Sequence, residues 1–407
     1  MNKEQETARQ NFQTSQPIRI VDLFSGVGGL SLGWLNASSR RGTQLLAAVD
    51  ADSTLEEVYA YNYHGTSFIP HTFGDAFDKD ESKILANRAR LSPDDIEVLL
   101  AAPPCQTFSA AGKRELDSNS RLVYHVCDFA SLMRPKIILI ENVPEFSRAY
   151  DGRLLGRVKV RLTEAGYITE VVHVSAASFG VPQMRMRGFT LAIRKDLKWP
   201  GREHLIQQLD LLDKQNFIPE APSTQDVGEI LHSSASAPTT VAEAIDDLPP
   251  LEAGAGEQET DLTTSPNSAY QILLRKQEKR LYNHVAPQHS LEMIEAMSQL
   301  RPGETPQETP GHRLRRKDYF RGAYARLDPK LPAMTITTQT QNPGSGRFTH
   351  YRDHRVITVR EVARLQSFPD RFRFFGSQAV QRRHVGNAVP PLLAQALASV
   401  LLPLLDS

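Results

Sequence analysis

The chain has 407 residues, 40% of them hydrophobic and 23% charged, with Lys plus Arg balancing Asp plus Glu at 47 each. That length exceeds the usual single domain, so two domains, or one with a large insertion, are expected around a sizeable core. Two cysteines exclude a disulfide scaffold and a Cys-rich zinc site, no metal site is expected, and a net charge of zero confines any nucleic-acid surface to a local patch.

The start, MNKEQETARQNFQTSQ, lacks the apolar core of a secretory signal, and no apolar run approaches the roughly 20 residues of a membrane helix. A cytoplasmic protein with a flexible polar tail over residues 1–17 and no membrane contact is expected. Up to about residue 194, short β-rich runs alternate with longer amphipathic or polar stretches: IRIVDLF, QLLAAVDAD, IEVLLAAPP, KIILIENV, ITEVVHVS and FTLAIRK. Strands apolar on both faces, separated by helix-length segments, predict a doubly wound α/β domain built on a parallel sheet. Such folds bind ligands at the carboxyl ends of their strands.

The first strand runs into DLFSGVGGLSLG, where Gly26, Gly28 and Gly29 allow a tight turn and offer helix N–H groups to an anion. A purely structural turn, or a dinucleotide site, is equally consistent with that stretch alone. Asp50 ends the second run as a candidate for ribose hydroxyls, although Asp50 or Asp52 could instead cap the next helix. Asp75 is a turn residue or an acceptor for an adenine amino group.

Further along, Pro103 and Pro104 hold Cys105 at a rigid strand end, where a thiolate could act as a nucleophile given a partner that lowers its pKa or takes its proton. Cys127, in a helical stretch, is expected in the core. In KIILIENV, Glu141 follows four apolar residues, so its carboxyl should be poorly solvated and suited to donating a proton; a solvated strand end is the bland alternative. In QMRMR, strand alternation puts Gln183, Arg185 and Arg187 on one face and Met184 and Met186 on the other. That polar face could be a solvated one or an anion or carbonyl clamp.

From residue 195 to about 335 apolar runs are few, and the acidic LEAGAGEQETDLTTS at 251–265 is expected to be an exposed loop. A basic stretch at 311–326 interleaves Tyr319, Phe320 and Tyr324. TVREVARLQSFPDRF predicts a helix stopped by Pro369, and HVGNAVPPLLAQALASVLLPLL predicts a turn followed by a buried helix.

Taken in order, DLFSGVGGLSLG, PPCQTFS, ENV, QMRMR, TVREVARLQSFPD and VGNAVPP closely resemble the C5-cytosine DNA methyltransferases, bacterial type, over about 22–391. The resemblance implies a Rossmann-like, S-adenosylmethionine-dependent catalytic domain over 18–193 plus 384–407. A smaller, irregular target-recognition domain would occupy 194–383, flanked by TVAEAIDDLPP and LPAMTITTQ. By this resemblance Cys105 would attack C6 of a flipped-out cytosine, Glu141 would bind N3 and the exocyclic amine, Arg187 would contact O2, and Arg185 would support the cluster. Phe24, Ser25, Gly26, Gly28, Gly29, Asp50, Ala51, Asp75, Ala76, Pro104 and Asn387 match cofactor-holding positions, the product being S-adenosylhomocysteine. The stretch from Gln106 to about Tyr124 resembles the family's mobile catalytic loop, with Ser109 near the vacated base position and Arg121 on the backbone.

Two departures stand out. Ala51 takes a position where the family often has an aromatic residue to stack on adenine, and methionines fill the intervening positions of the arginine motif. Duplex DNA is the implied partner, a cognate restriction endonuclease is compatible with the same system, and a monomer is expected. Arg313, Arg315, Arg316 and Gln339 are candidate DNA contacts, with Arg371, Arg373, Arg382 and Arg383 as further phosphate candidates. Base-edge readers are expected between about 280 and 350, including the loop TTQTQNPGSGRF at 337–348. A dinucleotide-dependent oxidoreductase has no reason for the later motifs, and amino-methylating enzymes usually carry an aromatic residue where Cys105 stands. A tRNA-acting or catalytically silent relative is the remaining alternative.

Overall fold

The computed structural model describes residues 16–74, 80–104, 121–214, 238–316 and 322–406. The tail over residues 1–15 and the positions of Cys105, Gln106, Ser109, Asp75, Ala76, Tyr319 and Phe320 lie outside the described residues. Strand and helix alternate through the first half: β1 (Ile18–Leu23), α1 (Gly29–Asn36), β2 (Thr43–Asp50), α2 (Glu56–Asn62), β3 (Ser67–Pro70), α3 (Asp80–Ala89) and β4 (Val98–Ala101). Then come α4 (Val123–Met133), β5 (Ile137–Asn142), α5 (Arg153–Glu164), β6 (Tyr167–Ser175), β7 (Gln183–Met184) and β8 (Met186–Arg194).

Seven strands form one sheet in the order β3-β2-β1-β4-β5-β8-β6. The pairs among β1 to β5 are parallel, as the apolar runs require. The all-parallel expectation fails at β8, which runs antiparallel to both β5 and β6. Its cause is the connection: between β6 and β8 stand only a short 3-10 turn, Ala176–Phe179, and β7, with no crossover helix to return the chain for parallel pairing.

Alternation along the strands divides the core in two. In β5, Ile137 and Leu139 join the cluster containing Trp34 of α1, while Ile138 and Ile140 join that of Cys127 and Phe129 of α4. Cys127 is buried as expected, and burial pushes its thiol up to about 12.

The second half adds α6 (Arg202–Lys214), α7 (Val241–Ile245), β9 (Gly256–Asp261), α8 (Ala269–Arg275), β10 (Arg280–Val285) and α9 (Leu291–Ser298). It ends with β11 (Ala333–Met334), α10 (Val359–Leu365), α11 (Gln378–Asn387) and α12 (Pro391–Leu401). The acidic stretch expected to be a loop instead supplies β9, paired antiparallel with β10. Its side chains are largely exposed, so apolar alternation could not reveal it, and Arg280 of β10 pairs with Glu259 and Asp261 across this two-stranded sheet.

Helix α10 is closed at its start by a reciprocal capping box between Thr358 and Glu361 and ends four residues before Pro369. VGN closes α11 rather than forming a free turn, and α11 runs through residue 383, so the division expected there falls inside one element. The stretch Gln378–Leu404 is apolar enough to match a membrane span by composition, but 83% of its most apolar window is buried inside the protein. Polar knots fasten this half: Arg364 bridges Asp247 and Asp370, and Arg355 bridges Asp353 and Glu361, with Asp247, Asp370 and Glu361 withdrawn from solvent and Asp353 partly buried. The Arg355 guanidinium helps hold Glu361 well below the usual carboxylate range against the opposing effect of burial.

Candidate functional site

The strand order reverses between β1 and β4, which opens a crevice beyond their carboxyl ends. On the β1 side, Phe24, Gly26 and Gly28 all take positive φ, at 55°, 51° and 78°. For Phe24 that conformation is costly, and strain of this kind persists where a site over-determines it. Gly28 heads α1 with no side-chain cap, so backbone N–H groups remain available at that helix start. A Cβ on Gly28 would stand 2.5 Å from Tyr63 Oη, and one on Gly29 would collide with the carbonyl oxygen of Val389. The glycines therefore serve close packing as well as the turn.

Beneath this turn Asp22 is fully buried and accepts a 2.6 Å hydrogen bond from Ser31 Oγ. Burial, assisted by the charge of Asp50, pushes its pKa up to about 7. Asp50 accepts from Gly26 N at 2.9 Å and from Asp52 N at 3.0 Å. The capping role falls to Asp52, which accepts from Thr54 N at 3.0 Å, leaving Asp50 as the acid beside the glycine turn. Asp52 also ties this edge to α11 through Arg383 and His384, at 2.6 and 3.0 Å. Ser25 is buried, Ala51, Pro104 and Asn387 are exposed, and Phe24 stacks on Phe73 with ring centroids 4.3 Å apart. Phe73 was not singled out from the sequence; its signal was an aromatic residue directly before Gly74 at a strand end.

On the far side of the crevice β5 ends in Glu141 and Asn142, and antiparallel β8 begins there, with Asn142 opposite Gly188. This register places Arg187 beside Glu141, and Arg187 Nε lies 2.7 Å from Glu141 Oε1. The carboxyl is nearly buried, as its apolar strand predicts, but it has an arginine partner that sequence could not reveal.

The alternation read from QMRMR is present: Gln183 and Arg185 are buried, whereas Met184 and Met186 are exposed. Arg187 reaches Glu141. Arg185 spends its guanidinium on backbone carbonyls, donating to Ile336 O at 3.0 Å, Ala388 O at 3.2 Å and Gly386 O at 3.4 Å. Gln183 donates to Gln366 Oε1 at 2.8 Å and accepts from Ile336 N at 2.8 Å, and Gln366 donates to Val385 O at 2.9 Å. This polar staple joins QMRMR, the end of α10 and VGNAVPP in one network. Gln366 was quoted in the sequence without a role; a polar residue directly after a buried helix was the available signal.

Among the candidate DNA contacts, Arg313, Arg315, Arg316 and Gln339 are exposed and Arg121 is half-buried. Arg313 pairs with Glu292 at 3.4 Å, and Gln339 accepts from Gln341 at 3.0 Å. Of the further phosphate candidates, Arg382 needs correction. Arg382 is fully buried and donates to Thr340 Oγ1 at 3.1 Å, so it cannot meet a phosphate on the surface. Arg373 pairs with Glu259 at 3.1 Å over the rings of Tyr61, Tyr282 and Phe375, and Arg383 is committed to Asp52, while Arg371 stays exposed. Among the described residues no cluster of His, Cys, Asp and Glu could hold a metal ion.

Comparison with known proteins agrees with this arrangement. Residues 18–402 match the model of the C-5 cytosine-specific DNA methylase family. The chain is 29% identical to the type II methyltransferase M.DdeI of Desulfomicrobium norvegicum, over 94% of its own length and 88% of that protein. It is also 29% identical to the type II methyltransferase M1.HphI of Haemophilus parahaemolyticus, over 95% and 87% of the two chains. Among solved structures, a prophage-encoded E. coli protein assigned as a DNA modification methyltransferase superposes with a TM-score of 0.72 at 24% identity, covering 96% of this chain and all of that one, a likeness of fold. The chain therefore belongs to the C-5 cytosine-specific DNA methylase family and is a DNA (cytosine-5)-methyltransferase.

Proposed function

We propose that this chain methylates C5 of a cytosine rotated out of duplex DNA, through a transient bond between Cys105 and C6 of the ring. The observation that carries the reading is the Glu141–Arg187 pair, 2.7 Å apart, at the same sheet edge as Pro104, the residue directly before the proposed nucleophile. C6 is inaccessible within a stacked duplex, so the base leaves the helix at a cost of a few kcal/mol, roughly, and enters a pocket at this edge.

Glu141 then holds N3 and the exocyclic amine, and Arg187 holds O2 while remaining next to Glu141. The thiolate of Cys105 bonds to C6, which makes C5 electron-rich. S-adenosylmethionine, when bound, supplies the electrophilic methyl group. Loss of the C5 proton and expulsion of the thiolate leave 5-methylcytosine. Arg185 acts from behind, as a positioning residue that fixes strand β8 against the backbone of VGNAVPP.

The residues on the β1 side suit that cofactor: a glycine turn with uncapped N–H groups, Asp50 for the ribose hydroxyls, and the ring of Phe24. Asp75, Ala76, Pro104 and Asn387 complete the proposed set. Exposed Arg315, Arg316 and Gln339, with Arg121, Gln106 and Ser109, are the proposed DNA contacts. The names of the bacterial relatives support a type II modification role; action in the bacterial cytoplasm, beside a cognate restriction endonuclease, is part of the same proposal.

Incubating the purified chain with tritium-labelled S-adenosylmethionine and duplex DNA, then digesting to nucleosides, tests the reading. Label in 5-methylcytosine supports it. Label in N4-methylcytosine, or in tRNA but not in DNA, rejects it.

A further inference from the structure

We propose that Phe73 is the base-contacting residue of the cofactor site, presenting to the adenine the ring that residue 51 lacks; this rests on reading the β1–β2–β3 edge as the S-adenosylmethionine site. Strands β1, β2 and β3 are parallel neighbours, so their carboxyl ends line one edge. Phe24 follows β1, Asp50 closes β2, and His71 to Gly74 follow β3. A nucleoside whose ribose sits at Asp50, with its charged tail at the start of α1, must place its base farther out, beside the ends of β2 and β3. Ala51, exposed at that point, offers only a methyl group.

The ring pair Phe24–Phe73 spans this strand end, 4.3 Å between centroids and 28° from parallel. Phe73 is half-exposed, so part of its surface is free to receive a planar base. Its backbone is held on both sides. His71 N donates to Asp50 O at 2.8 Å, which fixes the Phe73 segment directly to the ribose-binding strand end. Gly74 N donates to Glu81 Oε1 at 2.6 Å, and His125 Nε2 lies 3.4 Å from Gly74 O. The His71 ring meets Phe73 edge-on at 4.9 Å and the His125 ring lies 5.1 Å away. A ring fixed in this way is a platform rather than a plug that must swing aside when the base arrives.

Calorimetric titration of the full chain with S-adenosylhomocysteine tests the assignment without any turnover. Base–aromatic stacking is worth roughly 1–3 kcal/mol per base by alanine substitution, so Phe73→Ala should raise Kd by about fivefold or more. Phe73→Leu keeps apolar bulk and fold while removing the π face, and should lose a similar factor; Phe73→Tyr should stay within about threefold of wild type. Unchanged or tighter binding by Phe73→Leu, or a loss in Phe73→Tyr equal to that in Phe73→Leu, overturns the inference. The underlying reading fails separately. If the wild-type chain does not bind S-adenosylhomocysteine, both fall; if it binds, Asp50→Ala abolishes binding and Phe73→Leu leaves it unmoved, only the role of Phe73 falls.

Discussion

Arg187 Nε and Glu141 Oε1 stand 2.7 Å apart because an antiparallel strand begins where a parallel strand ends. The pair is nearly enclosed by its surroundings, and each side chain limits how the other can be oriented. Glu141→Gln should lower single-turnover methyl transfer by about 10²-fold or more, the scale of a lost acid–base group, while S-adenosylhomocysteine affinity stays within about twofold. Arg187→Lys should rescue little, because an ammonium cannot reproduce a planar fork that serves the carboxylate and a carbonyl together. Single-turnover kinetics and calorimetry on the same preparations check both statements.

Arg185 should behave differently from its neighbour two residues on. Its guanidinium is buried against the carbonyls of Ile336, Gly386 and Ala388. Arg185→Ala strands those acceptors, so the loss should appear first in global stability, on the order of 3 kcal/mol by denaturant unfolding. A variant that unfolds like wild type yet has lost cofactor-independent DNA binding would contradict a positioning role.

Two helix glycines should respond in opposite directions to alanine. At Gly33 an added Cβ collides with Ala394 Cβ and lies 2.5 Å from Pro391 O, because α1 packs closely on α12. Gly156 of α5 is exposed with open space around it. Gly156→Ala should stabilise by roughly 0.5–1 kcal/mol, whereas Gly33→Ala should destabilise by on the order of 1–3 kcal/mol through overpacking. Paired urea titrations decide the signs.

The buried carboxyl of Asp22 sets a pH dependence beneath the glycine turn. In the unfolded chain it loses its proton near its ordinary value of 3.8, but burial holds the proton in the folded state until about 7. Stability from this group is therefore full below 3.8 and is lost as pH rises towards 7. At about 1.4 kcal/mol per unit, the loss is on the order of 4 kcal/mol. Asp22→Asn cannot ionise, so its stability should fall less than that of wild type between about pH 4 and pH 7, the window the shift defines. Parallel slopes for the two proteins would contradict the assignment.

The legible parts of this molecule were those written in local periodicity. Apolar runs announced β1, β2, β4, β5, β6 and β8, and alternation in QMRMR separated Gln183 and Arg185 from Met184 and Met186. What escaped depends on contacts distant in sequence. The reversed direction of β8 follows from how the chain returns after β6, and β9 is recognisable only through its pairing with β10. Arg382 carries the same charge as exposed Arg371, yet tertiary packing against Thr340 removes it from the surface. The Glu141–Arg187 contact and the Phe24–Phe73 stack join residues 46 and 49 positions apart respectively, beyond any local pattern.

The central claim is chemical: the side chain at position 105 becomes covalently joined to the target base. Reaction of the purified chain with S-adenosylmethionine and duplex DNA carrying 5-fluorocytosine tests it most directly, because fluorine at C5 blocks release of the sulfur. Mass spectrometry should find a stable protein–DNA adduct mapped to the peptide containing Cys105, absent from Cys105→Ser. Methyl transfer at wild-type rate by Cys105→Ala, or an adduct that persists in Cys105→Ser, would contradict the account.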